Sequence, residues 1–109
     1  MSLAERNPIP HREISGPLSA AELGRAQDEL GPQWTVVDGK KLEREFKFDD
    51  FRGALEFVYA VADLAEEIDH HPDLCFGWGY CRISIWTHKV DGLSINDFIL
   101  AARAEALAT

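Results

Sequence analysis

The residues best suited to chemistry sit in one short run, Glu66-Glu67-Ile68-Asp69-His70-His71-Pro72, with His88 and Asp97 further along the chain. An unperturbed imidazole titrates near ~6.5, so both of its protonation states are accessible at neutral pH. It can therefore give or take a proton with little penalty. Loss of water across a C–O bond and an adjacent N–H needs both acts, and two imidazoles could divide them. Neighbouring carboxylates would hold a tautomer or favour the imidazolium. Glu66 and His70 stand four apart and share a helix face if the helix reaches that far. Each piece also has an ordinary reading. His70-His71 could be a surface helix end, His88 a polar strand end, Glu66 a solvated helix residue. Asp97 stands three residues after Ser94 and could simply complete a capping box. Adjacent histidines point in different directions and H-E-x-x-H spacing is absent, so no metal site is expected. Trp78 and Trp86 read first as packing residues. His11 carries no usable signal.

The elements that must position these residues can be read in turn. Residues 1–18 contain Pro8, Pro10 and Pro17 with little periodicity, and read as an irregular leader over the surface. Ser19 and Glu22 have capping-box spacing, and Gly31-Pro32 stops the helix they open. Residues 33–38 read as a strand. Asp38-Gly39 signals a two-residue hairpin. In the return strand over 42–48, Leu42, Phe46 and Phe48 face one side and Glu43, Glu45 and Lys47 the other. Asp49 or Asp50 caps a long helix with an apolar stripe of Phe51, Ala54, Leu55, Val58, Ala62, Ala65 and Ile68. Pro72 ends it near Asp69 to His71. A weak strand over 74–78 precedes a clear one over 80–88, in which Cys81, Ile83 and Ile85 share a face. Ser94 caps a last helix with Ile95, Phe98, Ile99, Ala102 and Ala106 inward. The order is α-β-β-α-β-β-α. It predicts an α+β fold, a four-stranded antiparallel sheet with three helices packed on one face. Residues 19–109 would form this one domain.

Bulk properties exclude other classes. The chain has 109 residues, enough for one domain, of which 46% are hydrophobic and 28% charged. Nineteen acidic against eleven basic residues give a net charge of −8. No Lys/Arg run offers phosphate contacts, so direct nucleic-acid binding is not expected. No secretory h-region or membrane-length apolar run is visible, which predicts a cytoplasmic protein with no membrane partner. Cys75 and Cys81 imply no disulfide framework and read as small buried hydrophobes.

Taken together, the spaced residues resemble the pterin-4a-carbinolamine dehydratase family, also known in animals as a dimerisation cofactor of a homeodomain transcription factor. The likeness is carried by Glu66, His70-His71-Pro72, Trp78, His88 and Asp97. Leu42-Glu43-Arg44-Glu45-Phe46, Trp86-Thr87-His88, Gly92-Leu93-Ser94 and the helix opening at Asp97-Phe98-Ile99 extend it from about Leu18 to the C-terminus. Trp78 stands where a tyrosine is common, and Asn96 where an arginine precedes the Asp. The resemblance implies dehydration of 4a-hydroxytetrahydrobiopterin, or a related carbinolamine, to a quinonoid dihydropterin in tetrahydropterin recycling. It implies no metal or organic cofactor. His70 and His88 would be the acid/base pair and His71 an assisting or substrate-binding histidine. Glu66, Asp69 and Asp97 would be orienting carboxylates, and Trp78 a pocket wall facing the flat pterin. The partner would be a small pterin, and the assembly a homodimer or homotetramer. Two alternatives come with the family: a protein-binding module, as coactivator or assembly chaperone, and an enzyme acting on another pterin, such as in molybdopterin metabolism.

Overall fold

The computed structural model describes residues 2–108; Met1 and Thr109, the outer bounds of the leader and domain read from sequence, lie outside them. The elements are α1 (Ala20–Leu30), β1 (Thr35–Val37), β2 (Lys41–Lys47), α2 (Phe51–Ile68), β3 (Asp73–Gly77), β4 (Tyr80–Ile85) and α3 (Ile95–Leu107). The strands form one antiparallel sheet in the order β1-β2-β4-β3, with the helices against one face, the predicted α+β architecture.

Local chemistry explains these elements. Ser19 and Glu22 form their reciprocal capping box at the start of α1. Asp50 caps α2 by accepting from Gly53 N–H at 2.8 Å. Asp38 and Gly39 both take positive φ, and Lys40 N–H closes the turn on Val37 C=O at 2.9 Å. That is the primed geometry whose twist suits a hairpin. Lys40 stays outside the ladder, which begins with Val37 opposite Lys41.

Between sheet and helices lies a core of Leu42, Phe46, Cys81, Ile83 and Ile85 from the sheet, Phe57 and Val61 from α2, and Phe98 and Ala101 from α3. The buried line of α2 is Ala54, Phe57, Val61 and Ala65. The predicted stripe was therefore rotated: Phe51 and Ala62 are exposed, while Phe57 and Val61 carry the packing. In α3, Phe98, Ile99, Leu100, Ala101 and Ala104 are all buried, although Ala106 is exposed. A helix apolar nearly all round needs cover on more than one side. Here the N-terminal segment supplies it.

That segment is stitched to the domain. Leu3 is buried in the core, and Arg103 donates to the carbonyls of Ala4 and Arg6 at 3.0 and 2.8 Å. Asn96 pairs with both backbone groups of Ile9, accepting from its N–H at 2.8 Å and donating to its C=O at 2.7 Å. Cys81 is buried as expected, but Cys75, on the edge strand β3, is exposed.

Candidate active site

The site begins where α2 stops. Asp69 takes a left-handed conformation (φ 55°, ψ 45°), which aspartate tolerates better than most residues. The N–H groups of Asp69 and His70 then both donate to Ala65 C=O, closing the helix end. This reversal sends the two adjacent histidines different ways. His70 is buried and His71 is exposed.

His70 Nε2 meets Asp97 Oδ1 at 2.5 Å. Asp97 is fully buried, and its other oxygen accepts from Thr87 Oγ1 and from Ser94 N–H, both at 2.8 Å. Asp97 is thus both the capping residue its spacing from Ser94 suggested and a partner of His70. One carboxylate oxygen closes the start of α3 and the other holds an imidazole from the end of α2. Among the described residues no buried side-chain nitrogen or oxygen lacks a partner, and His70 Nδ1 has none. That nitrogen therefore opens to solvent. In the neutral ring an Nε2–H donated to the carboxylate leaves Nδ1 as an acceptor. In the charged ring Nδ1 becomes a donor.

His71 Nε2 bonds to Glu66 Oε2, an exposed pair. Glu66 and His70 were expected on one helix face. The left-handed turn at Asp69 removes His70 from that face and brings His71 to Glu66 instead. His88 does not close β4. The strand ends at Ile85, and His88 opens a short 3-10 turn after Thr87, which bridges to Gly92. Its ring stacks on Trp86, with centroids 4.4 Å apart and planes at 23°. Lys41 Nζ lies 5.2 Å from the centre of a Trp86 ring.

A cavity of about 210 Å³ gathers Asp69, His70, His71, Trp86, Thr87 and His88, together with His11 from the N-terminal segment. The three expected histidines and Asp69 thus share one cavity, with Asp97 behind it and Glu66 beside it. Trp78 is not part of it. It sits exposed at the turn between β3 and β4, at the opposite end of that hairpin from the histidines. Five strand residues separate the two ends, a span of roughly 17 Å at ~3.3 Å per residue. Sequence reasoning missed Thr87 as a support for Asp97, Trp86 as the platform for His88, and His11. Thr87 had a signal, since a hydroxyl residue lies between Trp86 and His88. His11 had none. Among the described residues no group of three or more His, Cys, Asp or Glu side chains is arranged to hold a metal ion. None of their helices is long and apolar enough to cross a membrane.

The chain is similar to known proteins in sequence and in fold. Residues 16–107 match the family model described as pterin 4 alpha carbinolamine dehydratase. A Rubrobacter xylanophilus protein provisionally named pterin-4-alpha-carbinolamine dehydratase is 49% identical over 105 residues, covering 96% of this chain and 97% of its own. One of the same provisional name from Alkaliphilus metalliredigens is 42% identical, covering 95% of this chain and 94% of its own. Among solved structures, a transcriptional coactivator/pterin dehydratase from Brucella melitensis superposes with a TM-score of 0.78 at 30% identity, over 86% of this chain and 100% of that one. A pterin dehydratase-like protein identified as a RuBisCO assembly factor in the alpha-carboxysome gives a TM-score of 0.62 at 28% identity, over 72% of this chain and 93% of that one.

Proposed function

The chain belongs to the pterin 4 alpha carbinolamine dehydratase family, and from that membership we propose that it dehydrates a 4a-hydroxytetrahydropterin to the quinonoid dihydropterin. In this step the C4a–O bond breaks, the N5–H proton leaves, and a C4a=N5 double bond forms. A proton given to the departing hydroxyl completes a water molecule. One group must donate and one must accept, and no net proton is consumed.

The observation that carries the reading is the His70–Asp97 bond. It holds the ring by Nε2, leaves Nδ1 open to solvent, and supplies a carboxylate to stabilise the imidazolium that forms when His70 takes a proton. His88, stacked on Trp86 in the same cavity, is the second member of the acid/base pair. His71 assists, oriented by Glu66. Asp69 borders the cavity, and in this reading it meets a polar edge of the pterin. Replacing His70 and His88 together by alanine removes two proton-transfer groups, each worth about 10²–10⁴-fold. A folded double variant that turns over at the wild-type rate would exclude this assignment.

The reading includes a cytoplasmic homodimer or homotetramer serving tetrahydropterin recycling, with no cofactor. Phe51 and Phe76 contact each other at the open β3 edge (centroids 5.8 Å apart) and both are exposed. Apolar rings beside an unpaired strand edge suit contact with another chain. Trp78, distant from its own chain's histidines, can wall a pterin pocket only across such a contact. The same surface favours a second reading, a protein-binding role as coactivator or assembly factor. A pull-down with and without bound pterin separates the two.

A further inference from the structure

The histidine cavity, at about 210 Å³, is smaller than the ~300–1,000 Å³ usual for small-molecule sites. A pterin that places C4a beside His70 must extend its C6 substituent out of it. A groove of about 600 Å³ adjoins, and the two spaces share His11 and Asp69. One wall of that groove is the N-terminal segment, including Asn7 and Arg12. The other is the end of α2 and the start of α3, including Glu67 and Asn96.

The position of His11 is built. The buried Asn96 side chain clamps Ile9 through both of its backbone groups, and Lys89 Nζ donates to His11 C=O at 3.0 Å. Both anchors are neighbours of site residues. Asn96 precedes Asp97, which holds His70, and Lys89 follows His88. The N-terminal strap is therefore tied to α3, which carries the Asp97 that holds His70, and to the short turn that carries His88. The groove's cations, Arg12 and Arg103, are matched by Glu67 and Asp69, so it favours a neutral polar group over an anionic tail.

Resting on the proposed pterin chemistry, we infer that His11 is a specificity-determining residue, hydrogen-bonding a neutral, hydroxylated C6 substituent as it passes from the histidine cavity into the strap groove. Imidazole supplies one donor and one acceptor when neutral, which suits a hydroxyl.

The test is equilibrium binding, by intrinsic tryptophan fluorescence, of two stable 7,8-dihydropterins to the full chain. One carries a dihydroxypropyl group at C6 and the other a methyl. His11→Ala should reduce the preference for the hydroxylated ligand about 3- to 10-fold, the effect of one hydrogen bond. His11→Gln, which keeps a donor and an acceptor, should restore most of it. An unchanged ratio in His11→Ala, or a wild-type chain that binds both ligands equally, overturns the inference. Failure to bind either pterin overturns it together with the reading it rests on. Normal discrimination in a chain that never accelerates dehydration leaves the inference standing and removes the activity.

Discussion

Replacing Asp97 by asparagine tests the site with almost no change of shape. Asp97 Oδ2 receives two donors, Thr87 Oγ1 and Ser94 N–H, each at 2.8 Å. The amide of the variant must keep its oxygen there. Flipped, it would leave the Ser94 N–H buried without an acceptor, at a cost of about 1–3 kcal/mol. The –NH₂ group then faces His70 Nε2, which it meets as a donor. His70 must accept through Nε2, and its proton moves to Nδ1. The solvent-open nitrogen changes from base to donor. The variant should therefore lose about 10²–10⁴-fold in rate, the value of a positioned proton-transfer group. Exchanging a charged acceptor for a neutral one should also lower stability by about 1–3 kcal/mol. The assay is stopped-flow decay of a freshly generated 4a-hydroxytetrahydropterin, beside thermal melts showing that the variant is folded. A folded Asp97→Asn protein with the wild-type rate refutes the tautomer argument.

Two further predictions concern the scaffold. Glu105 accepts from the buried Trp34 Nε1 at 2.8 Å and also pairs with Arg44. Glu105→Ala orphans the indole N–H, so urea melts should show a loss of about 1–3 kcal/mol with turnover intact. In Cys81, burial and then the neighbouring Cys75 push the thiol up to about 11 from its ordinary 9.0. Native protein at pH 8 should expose one reactive thiol, Cys75, to a disulfide reagent. Because the folded chain holds the Cys81 proton longer than the unfolded one, stability should fall as pH rises from about 9 to 11. Denaturant melts at several pH values should show this slope in wild type and a shallower one in Cys81→Ala, where Lys40 and Tyr80, both raised by their partners, still contribute.

Hairpin, caps and element order were legible because each rests on local chemistry, as at Asp38-Gly39, Ser19-Glu22 and Asp50. The orientation of α2 was not. Phe57 and Val61 are chosen over Phe51 and Ala62 by the sheet and by α3, which no periodicity within α2 encodes. The histidines were legible as a set through their resemblance to a family, but their pairing was not. It turns on the left-handed residue at Asp69, which exchanges His70 for His71 opposite Glu66. His11 was invisible because its place depends on Asn96, 85 residues away in sequence, gripping Ile9 two positions before it.

The most direct test of the central claim is the decay of 4a-hydroxytetrahydropterin at neutral pH with and without the purified protein, followed by stopped-flow absorbance. The account predicts catalytic acceleration, proportional to protein concentration, with quinonoid dihydropterin as product. A well-folded protein that leaves the spontaneous rate unchanged would contradict it.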